Sequence, residues 1–133
     1  MIQVYQGVDI VEVERFKKIL LGNENLLDDL FTPGEKTYCY SMKDPQAHLA
    51  GHFAAKESYL KALGTGFSGM GIDHAFQEIE IVHAASGRPQ VSVTGWIAKL
   101  AQKRRICQST VSISHSGDYA MAAVVLVGSG KEG

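Results

Sequence analysis

Residues 51–66 read Gly-His-Phe-Ala-Ala-Lys-Glu-Ser-Tyr-Leu-Lys-Ala-Leu-Gly-Thr-Gly, and this stretch decides the fold. Its pattern predicts the end of a long helix that stops at Gly64 and continues as a glycine-rich loop. Glu57 and Lys61 are four residues apart, so they share one face of the helix. A carboxylate that can bind a metal and a lysine that can bind phosphate, placed together, suggest a phosphoryl site.

The rest of the chain is organised around this helix, with strands near both ends. The predicted elements are a strand at 2–11, helices at 12–21, 25–30 and 32–42, the long helix at 44–63, strands at 76–84 and 90–94, a helix at 95–103, and strands at 109–114 and 119–127. Because strands and helices do not alternate regularly, the class predicted is α+β. We expect one domain at 1–127 and a flexible C-terminal tail at 128–133.

Net charge, apolar runs and cysteine content narrow the range of expected partners and cellular locations. The formal net charge is −1, so neither nucleic acid nor a membrane is expected as a partner. The longest apolar runs fall far short of the ~20 residues of a membrane-spanning helix. Cys39 and Cys107 form no disulfide framework, which favours a reducing, cytoplasmic location.

Asp9 is an acidic residue inside an apolar first strand. Strand alternation puts Val8 and Ile10 on one face and Asp9 on the other, with Gly7 and Val11. Either Asp9 lies on the solvent face, or it is held inside for a function. The sequence leaves both alternatives open.

Glu57 falls inside the apolar stripe of the long helix, four residues after Phe53 and three before Leu60. A partly buried carboxylate is costly unless it is paired or binds a metal. One explanation is an ion pair with Lys61 or Lys56. The other is that Glu57 serves as a ligand.

The functional hypothesis joins these two carboxylates. If Asp9 and Glu57 meet in space, they can hold one Mg²⁺, which prefers oxygen ligands and commonly uses one or two carboxylates with substrate phosphates. Lys61 would then pair with a phosphate oxygen. The glycines at 64, 66, 69 and 71 would let backbone N–H groups approach an anion.

Other motifs are better explained without chemistry. The GxGxxG match at 64–69 follows a helix instead of a strand, which argues against a dinucleotide fold. The SxxK match at 58–61 lacks the companion motifs of its enzyme class. We interpret His48 and His52 as surface residues and the basic run at 103–105 as a solvated helix end.

Five separated segments match the motifs of one family. They are GVDIVEVER at 7–15, FTPGEKTYC at 31–39, FAAKESYLKALGTG at 53–66, SGRP at 86–89, and SISHS followed by DYA at 112–120. The chain resembles the small holo-[acyl-carrier-protein] synthases, a group of 4′-phosphopantetheinyl transferases. Ser58 stands where this family usually has Ala, and His52 where it commonly has Arg.

The resemblance implies a small antiparallel sheet packed on the long central helix. It also implies an activity: the phosphopantetheine arm of coenzyme A is moved to a serine of an apo acyl carrier protein, and 3′,5′-ADP is released. An intertwined homotrimer with active sites at subunit contacts is implied as well. Fatty-acid synthesis is the expected pathway, and polyketide synthesis remains open.

The resemblance further assigns roles to individual residues. It implies that Asp9 and Glu57 bind Mg²⁺. It implies that phosphate and coenzyme A are contacted by Lys61, Gly64, Gly66, Arg88 and His115. It implies that the carrier protein binds to a surface that includes Arg15 and Lys18. The base that accepts the serine proton stays open between a metal-bound water, Glu57 and a nearby carboxylate. Two rival functions also remain: a non-catalytic subunit that binds coenzyme A or the carrier, and a Mg²⁺-dependent nucleotide hydrolase.

Overall fold

The computed structural model describes residues 1–64 and 72–130, without the side chains of residues 72 and 73. The elements, in chain order, are β1 Gln3–Glu12, α1 Val13–Leu21, α2 Leu26–Leu30, α3 Pro33–Tyr40, α4 Pro45–Leu63, α5 Ile72–Glu78, β2 Ile79–His83, β3 Pro89–Val93, α6 Gly95–Lys103, β4 Ile106–Ser116 and β5 Tyr119–Gly128. Among these residues, no helix is both long and apolar enough to cross a bilayer.

Two antiparallel sheets surround helix α4. The larger has strand order β1-β5-β4, and the smaller is the hairpin β2-β3. The core lies between α4 and these sheets, where residues such as Leu60, Ile81 and Leu126 are almost fully buried. The predicted α+β class is therefore confirmed.

Local signals explain the bounds of α4. Asp44 caps its N-terminus by accepting a hydrogen bond from the backbone N–H of Ala47 at 3.3 Å, and Pro45 occupies the first turn. At the other end Gly64 adopts a φ of 75°, a left-handed conformation that glycine enters without steric cost. The helix is thus fixed at both ends by residues within it or next to it.

Strand β1 approaches α4 closely at Gly7. A Cβ atom at Gly7 would fall on the backbone carbonyl of Ser58, so only glycine fits. The Ser58 hydroxyl donates at 3.1 Å to the carbonyl of Ala122, which ties α4 to β5 as well. This close packing determines which face of β1 looks at the helix.

The structure differs from the sequence prediction around residues 76–84. This stretch was expected to be one strand, but α5 continues to Glu78 and strand β2 covers only Ile79–His83. Glu78 lies at the junction of α5 and β2. Its carboxylate accepts a hydrogen bond from the backbone N–H of Ile97, at the start of α6, at 3.0 Å. This tertiary contact is not visible in local sequence.

Near the end of the chain, the described residues 128–130 are held by a strand and by a side chain. Strand β5 takes in Gly128, and the carbonyl of Gly130 accepts a hydrogen bond from the Arg105 guanidinium at 3.2 Å. The remaining residues of the predicted tail, 131–133, lie outside the described residues.

Candidate active site

Asp9 lies on the face of β1 that looks toward α4. Its side chain is only 17% exposed, whereas its neighbours Val8 and Ile10 are each 56% exposed on the opposite face. The solvent-face alternative for Asp9 therefore does not hold. The usual alternation is inverted here: the strand turns apolar side chains outward and a carboxylate inward.

Lys61 meets Asp9 across this contact. Its ammonium donates to Asp9 Oδ1 at 3.0 Å and to the Val8 carbonyl at 3.0 Å. The Lys61 side chain is 51% exposed, so water screens the ion pair, and such pairs contribute about 1 kcal/mol or less. Its stability contribution is small, and the ammonium remains available to an incoming anion.

Glu57, one helical turn before Lys61, is half-buried. Burial, together with the negative charge of Asp9, raises the pKa of the Glu57 carboxyl, and the charge of Lys61 only partly opposes this. Among the residues that the structure describes, no hydrogen bond or ion pair involves this carboxylate. The two lysines once considered as partners are engaged elsewhere, Lys61 with Asp9 and Lys56 with Glu35.

This donor set fits a divalent cation. Asp9 and Glu57 are carboxylates close enough to repel each other, and among the described residues Glu57 forms no ion pair, although the charge of Lys61 acts on it. In the described part of the chain there is no cluster of three or more His, Cys, Asp or Glu residues suited to a metal. Mg²⁺ suits two carboxylates, because it takes its other ligands from water and substrate phosphates.

A groove of about 350 Å³ begins at Asp9. Its walls combine apolar side chains such as Phe16 and Phe53 with the cation Arg15 from α1. Arg15 and Lys18, the two residues predicted to bind a protein partner, are exposed and three residues apart, so they share one side of α1. The structure thus brings Arg15 to the carboxylate site, with Lys18 beside it on the helix.

The predicted glycine contacts are only partly described. Gly64 ends α4, one residue after the backbone carbonyl of Leu63, to which Arg104 donates at 2.6 Å. Gly66, like the glycines at 69 and 71, lies outside the described residues.

His115 and Arg88 are not next to the carboxylates within this chain. The His115 Nε2 lies 2.9 Å from the carbonyl of Ala47, near the start of α4. Ala47 is ten residues before Glu57, which corresponds to about 15 Å along a helix. Arg88 is exposed on the β2–β3 turn, next to a pocket that His115 helps to line.

A buried ionic network was missed by the sequence analysis. Lys56 is fully buried and pairs with Glu35 Oε1 at 2.5 Å, while it also donates to the carbonyls of Leu30 and Phe76. Burial lowers the pKa of Lys56, and the charge of Glu35 opposes that shift. Only the capping box of Thr32 and Glu35 was visible in the sequence, and the structure contains it.

Both carboxylate oxygens of Glu35 have hydrogen-bond or ion-pair partners. It accepts from the backbone N–H groups of Thr32 and Ile81, from Lys56 and from His52. Burial alone would raise the pKa of Glu35, but the His52 hydrogen bond and the Lys56 charge outweigh it, so the pKa is lowered. The prediction that His52 is a surface residue was wrong, since it is 1% exposed against Glu35. His48 is half-buried.

Comparison with known proteins identifies the family. Residues 6–124 match the family model described as the 4′-phosphopantetheinyl transferase superfamily. The holo-[acyl-carrier-protein] synthase of Caldanaerobacter subterraneus subsp. tengcongensis is 42% identical over 126 residues, covering 95% of this chain and 96% of that protein. The corresponding protein of Syntrophotalea carbinolica is 42% identical over 123 residues, covering 92% and 94%.

Solved structures show the same fold. The ACPS–CoA complex of Chronobacterium ammoniagenes superposes with a TM-score of 0.82 at 31% identity, over 93% of this chain and 96% of that one. A holo-(acyl-carrier-protein) synthase of Bacillus anthracis, in complex with CoA (3′,5′-ADP), gives a TM-score of 0.75 at 31% identity, over 97% and 100%. The expected transferase-like fold is confirmed. The chain belongs to the 4′-phosphopantetheinyl transferase superfamily, within the family of holo-[acyl-carrier-protein] synthases, which are enzymes.

Proposed function

We propose that this enzyme moves the 4′-phosphopantetheine arm of coenzyme A to a serine of an apo acyl carrier protein, releases 3′,5′-ADP and depends on Mg²⁺. The names of its full-length relatives and the coenzyme A complexes of its structural neighbours support the substrates. The observation that carries the proposal is the convergence of Asp9, Glu57 and Lys61 at one open, electrostatically incomplete site.

Asp9 and Glu57 would hold the Mg²⁺ ion. When bound, the ion would neutralise phosphate oxygens and stabilise the charge of the leaving phosphate. The carboxylates supply the negative charge that attracts it, and the ion would complete the compensation of Glu57 that Lys61 provides only in part. Lys61 would turn its exposed ammonium from Asp9 toward a phosphate oxygen of coenzyme A.

Phosphoryl transfer of this kind relies mainly on positioning and electrostatics. The chain holds its site on rigid elements: Asp9 on a paired strand, and Glu57 and Lys61 on consecutive turns of a helix fixed at both ends. We further propose that Gly64 and Gly66 approach a phosphate through their backbone N–H groups, and that Arg88 and His115 contact the nucleotide.

The carrier protein would dock on α1. Arg15 and Lys18 present positive charge beside the groove that starts at Asp9. An acidic carrier surface matches this charge and would bring its serine toward the carboxylates. The cytoplasm is the proposed location, consistent with the free cysteines Cys39 and Cys107.

We also propose a homotrimer. The face of the large sheet that points away from α4 leaves Val4, Val8, Ile10 and Met121 between 41% and 56% exposed. Apolar surface of this kind favours association. A second chain could also bring its His115 and Arg88 near the carboxylates of the first. Light scattering in solution should give three times the chain mass of 14.4 kDa.

The direct test is mass spectrometry of apo acyl carrier protein after incubation with coenzyme A and Mg²⁺. We expect the carrier to gain the mass of the phosphopantetheine arm and 3′,5′-ADP to appear, and we expect EDTA to stop both. Binding of coenzyme A without transfer would support the non-catalytic alternative. Nucleotide release without any acceptor would support the hydrolase.

A further inference from the structure

Four of the five histidines of the chain line one pocket. His48 and His52 come from α4, His83 from the end of β2 and His115 from β4. The pocket has a volume of about 230 Å³, and its remaining wall is formed by Tyr38, Gly87, Pro89 and Ile113. The proposed transfer reaction assigns no role to His48, His52 or His83.

Two of these residues, His52 and His83, form what we call the histidine pair. The two Nε2 atoms lie 3.0 Å apart. On the buried side, His52 Nδ1 lies 3.2 Å from Glu35 Oε2. On the outer side, His83 Nδ1 lies 3.3 Å from the carbonyl oxygen of Gly87. All four ring nitrogens of the pair therefore have one hydrogen-bond partner each.

The partners fix the number of protons on the pair. A carbonyl oxygen only accepts, so His83 Nδ1 must carry a hydrogen. Three donors other than His52, the backbone N–H groups of Thr32 and Ile81 and the Lys56 ammonium, favour the ionised form of Glu35, so Glu35 also accepts here and His52 Nδ1 carries a hydrogen. The contact between the two Nε2 atoms needs one more. Three hydrogens on four nitrogens are one more than two neutral imidazoles hold.

We propose that His52 and His83 share one extra proton, so that the pair carries a single positive charge which is lost as the pH rises and which sets the pH dependence of anion binding in the histidine pocket. In the favoured arrangement His52 donates from both nitrogens, to Glu35 and to His83, and His83 is the neutral member. Loss of the proton leaves two hydrogens for three hydrogen bonds and removes the cation.

The groups around the pair are consistent with this charge. Those facing it are Glu35 and Tyr38 from α3, His48 and Lys56 from α4, Glu80 from β2 through its effect on Lys56, and His115 from β4. Burial, followed by the charges of neighbouring histidines, lowers the pKa of His48. Burial, with a smaller effect from His52, lowers the pKa of His83. Both shifts favour the neutral forms of His48 and His83.

The functional consequence rests on the proposed function, in which the nucleotide of coenzyme A lies near His115. Glu35 and Lys56 cancel each other, so the extra proton adds one positive charge to the wall of the pocket. A phosphate in the pocket is attracted to it. Above about pH 7 a phosphate monoester is already close to fully ionised, with a second pKa near 6. Any loss of binding at higher pH must therefore come from the protein.

The first test counts protons directly, by NMR of the full-length protein with ¹⁵N-labelled histidine at pH 7. We expect three protons on the pair, with both nitrogens of His52 protonated and His83 carrying its proton on Nδ1. Spectra of His83→Phe and His74→Asn assign the signals. A neutral His52 and a neutral His83 at pH 7 would overturn the proposal. This readout needs no activity, so it stands or falls separately from the proposed reaction.

The second test measures binding of 3′,5′-ADP by calorimetry between pH 7 and pH 9. We expect affinity to fall about tenfold in the wild type, the size of one lost charge-assisted interaction. His83→Phe keeps a ring against Tyr38 but gives His52 no acceptor, so its affinity should be lower at pH 7 and nearly independent of pH. The matched control His74→Asn changes the exposed fifth histidine and should behave as the wild type does.

The outcomes of the second test separate the two proposals. A wild-type affinity that does not change from pH 7 to pH 9 would overturn the role of the pair, even if transfer to the carrier is normal. Failure of 3′,5′-ADP to bind at any pH would overturn the nucleotide site of the proposed function, while the NMR count would still decide whether the pair shares a proton.

Discussion

Helix α4 carries two carboxylate–lysine arrangements that differ in how completely the carboxylate is satisfied. On one side Lys56 is buried against Glu35, which accepts from two further backbone N–H groups and from His52, so its pKa is lowered. On the other side Lys61 pairs with Asp9, and Glu57 stays half-buried with a raised pKa.

The comparison separates structure from function. The Glu35–Lys56 ion pair has all its partners inside the protein, so it can stabilise the fold and leaves no carboxylate oxygen free for an added cation. The Glu57 site keeps unused acceptors next to solvent, so it can gain a cation from outside. The candidate active site is therefore marked by carboxylates whose negative charge is only partly compensated and which lie on rigid elements. The presence of charged residues alone would not distinguish it.

The largest effect on activity is expected when a carboxylate of the candidate active site is removed. We expect Glu57→Ala or Asp9→Ala to reduce transfer by at least about a thousandfold, because the Mg²⁺ site and the charge balance are lost together. Circular dichroism and thermal unfolding should show a folded protein. A Glu57→Ala variant that transfers at the wild-type rate would contradict the assignment.

The next largest effect is expected in the buried network. Lys56→Met leaves Glu35 buried without its cation and should destabilise the fold by about 3–5 kcal/mol. The matched variant Lys61→Met breaks an exposed pair and should change stability by about 1 kcal/mol or less. Urea unfolding measures both, and equal effects would contradict the contrast between the two sides of the helix.

Gly7 tests how the open site is assembled. Gly7→Ala should destabilise the fold by about 1–3 kcal/mol, because its Cβ would meet the Ser58 carbonyl and push β1 away from α4. Transfer should also fall, since Asp9 is two residues further along the same face. Gly22→Ala, where a Cβ has room, is the control. Wild-type stability of Gly7→Ala would show that the close approach is not required.

The last comparison concerns two pH dependences of opposite sign, measured without Mg²⁺. The raised pKa of Glu57 means that its ionised form costs stability above that pKa, so Glu57→Gln should be the more stable protein at pH 7. The lowered pKa of Glu35 means that its ionised form adds stability, so Glu35→Gln should be the less stable protein at pH 7.

Both differences should shrink in acid. The Glu57→Gln difference disappears as the pH falls below the unfolded pKa of a glutamate, and the Glu35→Gln deficit shrinks as the pH falls through the lowered folded pKa. Thermal unfolding between about pH 2 and pH 7 measures both curves. Two curves with the same sign would mean that the carboxylates do not differ as described.

Sequence predicted α4 well because its limits are local: Asp44, Pro45 and Gly64 act within one turn. The capping box at Thr32 and Glu35 was predicted for the same reason. By contrast, the burial of Lys56 and His52 depends on Glu35, 17 or more residues away, and on β2 beyond it. No local pattern reveals such pairing.

Sequence predicted the residues of the candidate site, but it did not predict which face of β1 meets α4. Alternation in β1 placed Asp9 opposite Val8 and Ile10, but both faces contain apolar residues and the sequence cannot say which one meets the helix. The contact of Gly7 with Ser58 makes that choice. The family motifs nominated Asp9, Glu57 and Lys61, and their mutual distances come from the fold.

The most direct test of the central claim is a Mn²⁺ titration followed by electron paramagnetic resonance in the presence of coenzyme A, with Mn²⁺ replacing Mg²⁺. The account predicts one bound ion per chain, at least tenfold weaker binding in both Asp9→Asn and Glu57→Gln, and unchanged binding in Glu80→Gln, whose carboxylate accepts from the Thr32 hydroxyl elsewhere. Wild-type affinity in both Asp9→Asn and Glu57→Gln would contradict it.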